Sequence, residues 1–314
     1  MKFGLYLIYG LTWALSRLPM RVLYALSDCL FPLIYHIARY RRKLVRRQLQ
    51  ECFPQQPARW HRQVERKFYH FFCDYIVETL KLMHMGSREI ERRVTWDGLE
   101  ELQAEMRTRG KKFAVAYLGH YGNWEWVASF SSHLAPDFGG AQIYHPLKNK
   151  RVDRFFLKLR RQFGGDCIAM KEALRHIILM SRGEKHEIIG FIADQCPKWE
   201  AMHHWTEFLG HKTSFFIGPE EISKRVPSCV VYVHVTRPSR GYYHCQVVPL
   251  AWEPKEHKDY EITDLYAAAL EEQIREQPEL WLWSHKRWKR TYEEWLRVSE
   301  NWARTKKNSI KDNK

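Results

Sequence analysis

At residues 117–130 the chain reads YLGHYGNWEWVASF, which brings a histidine, His120, and a glutamate, Glu125, to the end of an apolar run. An imidazole with a carboxylate behind it is the equipment of a general base, the acid group fixing the tautomer and stabilising the imidazolium. Asn123 is a candidate N-cap, which sets Glu125 in the first helical turn, where acidic groups are favoured. Five residues on a regular helix turn through about 500°, so a fully helical pair would not share a face. The spacing works if His120 lies in a loop and Glu125 on the helix, and the two side chains then meet across the bend. The same residues also admit a plainer reading, a surface histidine beside a capping glutamate.

Positioning such a pair needs a strand before it and a helix after it. The stretch 113–119, FAVAYLG, predicts a buried strand, as do 141–144, 166–170 and 187–194, the last ending in Asp194. Between them 153–165 and 171–184 carry helical patterns closed by glycine. Residues 229–236 and 242–250 predict paired strands, 59–85 a helix, and 262–289 a long helix interrupted at Pro278. Strands alternating with helices imply an α/β fold, a mixed central sheet flanked by helices. Working residues in such sheets collect where strands end and helices begin, which is where His120 falls.

Lysine and arginine number 51 against 36 acidic residues, an excess that suits an acidic partner. Seven cysteines, an odd number at wide spacing with no C-x-x-C, predict free thiols in a reducing compartment. None lies in a Cys-His motif, which weighs against an acyl-enzyme. His203, His204 and His211 lie near Asp194 and Cys196 in sequence without a tight ligand spacing, so no metal is expected. Residues 3–16 carry no charge, and 22–38 are apolar but for Asp28, Pro32 and His36. Neither run reaches the about 20 clean apolar residues of a spanning helix. The cluster RYRRKLVRR follows at 39–47, a basic flank that favours anionic lipid. Three segments result: 1–47, an apolar helical membrane-anchoring segment with its basic flank; 48–303, the α/β domain; and 304–314, a polar, basic tail expected to fray.

GHYGNWEW resembles the His-x-x-x-x-Glu signature of the bacterial lipid A biosynthesis (lauroyl/myristoyl) acyltransferase family, and three further stretches match in order. YHPLKNKRVDRF resembles the family's Tyr-Arg-Pro segment, IIGFIADQCP its Asp-Gln block, and QPELWLWSHKRWK its terminal Trp/His/Arg motif. The resemblance implies transfer of a fatty acyl group from an acyl carrier protein thioester to a hydroxyl of a lipid A precursor. It also implies the cytoplasmic face of the bacterial inner membrane, and neither a cofactor nor a nucleic-acid partner. His120 would be the base and Glu125 its partner, with Asp194 and Gln195 shaping the site. Asn123, Tyr144 and Arg161 would help bind substrate, and Arg287 with His285 would sit near phosphate or carrier-derived groups. One departure stands out: His145 occupies the position of the arginine in Tyr-Arg-Pro, which leaves a lysophospholipid, glycolipid or aminolipid as another acceptor. A basic membrane-peripheral binding protein would account for the charge but not for the ordered motifs.

Overall fold

The computed structural model describes residues 10–311, with side chains as far as Trp302. Residues 1–9, which hold part of the first apolar run, lie outside the described residues. In chain order the helices are α1 (Met20–Pro32), α2 (Arg42–Cys52), α3 (Ala58–Lys81), α4 (Ser87–Arg93), α5 (Leu99–Thr108) and α6 (Trp124–Val127). They continue as α7 (Lys150–Arg161), α8 (Ala173–Met180), α9 (Gly218–Arg225), α10 (Glu261–Glu276) and α11 (Tyr292–Lys311). The strands are β1 (Val94–Asp97), β2 (Phe113–Leu118), β3 (Phe138–Tyr144), β4 (Asp166–Ala169), β5 (His186–Ile192), the short pair β6 (Thr206–Phe208) and β7 (His211–Thr213), β8 (Ser228–Ser239) and β9 (Tyr242–Ala251).

Seven strands make one mixed sheet in the order β1-β9-β8-β2-β5-β3-β4. Only β8 and β9 pair antiparallel within it; the other neighbours are parallel. Both faces of β2 are covered, which is why its six residues are apolar without alternation. On one face Tyr117 stacks on Tyr266 of α10 at 4.4 Å. On the other, Ala116 and Leu118 look into a narrow apolar cavity roofed by α5 and α6.

Helix α3 has an unusual buried stripe, because Glu65, Asp74 and Glu78 lie among its apolar positions. Buried carboxylates persist only when paired. Glu65 takes Arg42 at 2.8 Å and Arg46 at 2.7 Å, so part of the basic cluster at 39–47 is occupied inside the protein. Asp74 takes Arg237 and Arg240 from the β8–β9 hairpin.

Two expectations change shape. The long helix at 262–289 ends at Glu276; Gln277 leaves the helical region (φ −134°, ψ 74°), as a following proline disfavours helix there, and a single 3-10 turn spans Pro278–Leu280. Trp281 then forms an antiparallel bridge with Tyr121, so the late motif is mostly loop laid against the His120 turn. At the amino terminus, α1 passes Pro32 into a π-helical turn, Leu33–Ile37. Among the described residues no helix is long and apolar enough to cross a membrane. The expected tail at 304–314 is helical in backbone as far as Lys311.

Candidate active site

Strands β2 and β5 run side by side and parallel, with Leu118 paired to Ile192. His120 and Asp194 each lie two residues beyond that pair, so adjacent strand ends deliver them to the same place. The imidazole Nδ1 donates to Asp194 Oδ1 at 2.6 Å, and the His120 backbone N–H donates to Oδ2 at 3.0 Å. The Trp281 indole donates to the same Oδ2 at 2.9 Å. Burial alone would push the Asp194 carboxyl up, but the His120 charge and the hydrogen bonds from His120 and Trp281 outweigh it and hold it at about 2. The carboxylate is therefore ionised at neutral pH, and it fixes the tautomer with Nδ1 protonated. That leaves Nε2 as the acceptor, and the Gln195 amide donates to it at 3.2 Å.

The turn itself is tightly constrained. A Cβ on Gly119 would come within 2.7 Å of Leu270 Cδ1, and Gly122 adopts φ +57°. Leu282 N–H donates to the His120 carbonyl, and Gly122 N–H donates to that of Leu280, each at 3.0 Å. Asn123 caps α6, its Oδ1 accepting from Trp126 N–H at 3.1 Å, and Glu125 falls in the first turn. Its carboxylate does not turn back to His120, however. Arg160 of α7 takes it bidentately at 2.8 and 2.6 Å, in a place where the glutamate side chain is 3% exposed. The expected meeting of His120 with Glu125 is corrected: the hydrogen-bonding partner of the imidazole is Asp194. The reason is geometric, since Asp194 arrives from a neighbouring parallel strand at matched register while the half-buried Arg160 guanidinium takes both oxygens of Glu125.

The remaining expected residues are spread more widely. Arg161, next to the arginine that reaches Glu125, points outward and pairs with Asp166 at 2.9 Å. Tyr144 closes β3, half-buried, and His145 beyond it is exposed. Burial pushes the His285 imidazole down to about 4, so it is neutral at pH 7, and its Nε2 accepts from Cys196 N–H at 3.4 Å. Arg287 is buried, donating to the Ser214 carbonyl at 2.6 Å with its guanidinium over the Phe215 ring, so it faces protein rather than solvent. Three neighbours were not singled out from sequence: Trp281, Arg160 and Glu78. An acidic residue on the apolar stripe of α3 was the visible sign of Glu78.

The cavity runs close to the imidazole. Trp124 lines it and meets His120 edge-on at 5.1 Å, while Leu118 and Ile192 bring its wall up to the two strand ends. Farther in, Val127 and Phe130 cover it, and Leu99 and Leu102 of α5 bound it over β9. A carboxylate-oriented imidazole close to a hydrocarbon-lined cavity suits the class of enzymes that work on acyl groups. The comparisons give that class a family. Residues 1–290 match the family described as bacterial lipid A biosynthesis acyltransferase. The chain is also similar to the lipid A biosynthesis lauroyltransferase of Escherichia coli (strain K12), 23% identical over 284 residues, covering 89% of each protein. The chain belongs to the bacterial lipid A biosynthesis acyltransferase family, and it is an acyltransferase.

Proposed function

We propose that this enzyme carries a fatty acyl group from an acyl carrier protein thioester to a hydroxyl of a lipid A precursor at a membrane surface. The observation that carries the reading is the His120–Asp194 pair set against Trp124, which lines the apolar cavity. The acyl chain lies in the cavity with its thioester carbonyl beside Trp124. The acceptor hydroxyl displaces the Gln195 amide from Nε2, which takes the hydroxyl proton as the C–O bond forms. Asp194 stabilises the imidazolium, and the freed Gln195 amide is a donor for the oxyanion. Collapse breaks the C–S bond, and the imidazolium returns its proton to the departing sulfur. The exposed basic residues of α7, Lys150, Arg151, Arg154, Lys158 and Arg161, suit an acidic carrier protein or headgroup phosphates. The exposed Val22 and Leu26 of α1, with Leu33 and Ile37 beyond it, suit a helix lying in the membrane interface rather than spanning it. Seven free cysteines agree with the cytoplasmic face.

The test is turnover of a lipid A precursor by the purified chain with an acyl carrier protein thioester, read by mass spectrometry. His120→Ala should lower kcat by about 10²–10⁴-fold while vesicle binding is retained; preserved turnover removes the mechanism. His145, standing where the family resemblance has arginine, favours a second acceptor enough to test. If a lysophospholipid is acylated and the lipid A precursor is not, the acceptor proposed here is wrong.

A further inference from the structure

One buried carboxylate outside the reacting groups is tied to the turn that carries them. Glu78 of α3 is fully buried, and its side chain gathers three neutral donors from three different parts of the chain. Asn123 Nδ2 donates to Oε2 at 2.8 Å, Tyr243 of β9 donates to the same oxygen at 2.8 Å, and Tyr24 of α1 donates to Oε1 at 2.8 Å. Arg237 lies 3.7 Å from Oε1, and the Glu78 backbone carbonyl accepts from the Trp126 indole at 3.0 Å.

Only Tyr121 and Gly122 separate His120 from Asn123. The segment Leu280–Leu282 holds one side of this turn through two backbone hydrogen bonds. Glu78 holds the other side, through the Asn123 amide. The same asparagine caps α6, so its orientation also sets where Trp124 leaves the turn to reach His120 and the cavity wall. Asp194 fixes the imidazole ring and the His120 N–H; the far end of the turn, at Asn123, is held by Glu78.

We propose that Glu78 is a positioning residue of the acyl transfer: by holding Asn123, it sets the turn that aims His120 and Trp124. This rests on the functional reading above. A purely structural carboxylate, there to hold α1 and the β8–β9 hairpin to α3, would change stability but leave the rate per folded molecule alone.

The experiment compares the full-length wild-type chain with Glu78→Gln, Asn123→Ser and the double variant, each checked by circular dichroism and thermal unfolding. Serine keeps the helix cap but cannot reach Glu78 as the asparagine amide does. Each single change should lower kcat by about tenfold or more with KM for the thioester within about threefold, since an aim is lost and not a binding contact. The double variant should fall no more than about twofold below the worse single, because both act through one hydrogen bond. Unchanged kcat in folded Asn123→Ser, or losses that multiply in the double variant, would overturn the proposal; Asn123→Ser decides alone if Glu78→Gln fails to fold. Carbethoxylation of His120 by diethyl pyrocarbonate, followed by mass spectrometry, needs no substrate. Its rate should rise by about fivefold or more in each folded variant as the turn loosens, and an unchanged rate also overturns the proposal. If the wild type turns over none of the substrates, the functional reading fails while the modification rates still decide the role of Glu78.

Discussion

Besides Glu78, the carboxylates of Asp194 and Glu125 lie close to the His120 turn, and they have different partners. Asp194 accepts from Nδ1, so Asp194→Asn removes the ionised partner and presents an amide that can invert the tautomer. It should cost about 10²–10⁴-fold in kcat while the protein stays folded. Glu125→Gln should do the opposite, because it strips a half-buried guanidinium of its counter-charge. A fully buried pair broken this way costs about 3–5 kcal/mol, and the 21% exposure of Arg160 puts the cost here below that. Urea unfolding and kcat measured on both variants separate the cases. Equal losses of kcat at unchanged stability would return Glu125 to the chemistry. From sequence, the loop histidine, the Asn123 cap and the first-turn glutamate were all legible, since each depends on neighbours within five positions. The His120–Asp194 bond was not, because 74 residues separate them and only the order of the strands brings them together.

Among the elements, the strands on either side of the site could be read from their unbroken apolar runs. Their order could not, since parallel neighbours are joined by crossovers and leave no local trace. The loop after Pro278 was misread as helix because its aromatic spacing imitates one, whereas Trp281, Trp283 and Trp288 in fact form an edge-to-face cluster. The cavity depends on three elements at once: the sheet, α5 and α6. If it seats the acyl chain, α5 measures the chain's length. Leu102→Phe should shift preference toward shorter acyl groups, each methylene that no longer fits losing about 0.8 kcal/mol, roughly fourfold in kcat/KM. Competition between donors of different length checks this, and an unchanged preference would place the chain elsewhere.

Across the whole molecule, α1 is apolar on two sides. Met20, Leu23 and Phe31 pack inward, while Val22 and Leu26 remain exposed, and the stripe continues through Leu33 and Ile37. The basic cluster that follows is divided as well, with Arg42 and Arg46 turned in to Glu65. Replacing Leu26, Leu33 and Ile37 together by serine should lower partition onto anionic vesicles by about tenfold or more and leave thermal unfolding nearly unchanged, since exposed positions carry little stability. Flotation assays decide it; undiminished binding would move the membrane contact off this stripe. The pairing of Leu118 with Ile192 reaches further than the distance between two side chains. A slip of one residue between β2 and β5 would turn Asp194 to the opposite face of the sheet and leave the imidazole without its carboxylate. Turnover therefore reports on assembly: a chain whose central strands have paired out of step is silent, however compact it is. The fraction of refolded protein that is active should count the molecules whose sheet has found its register.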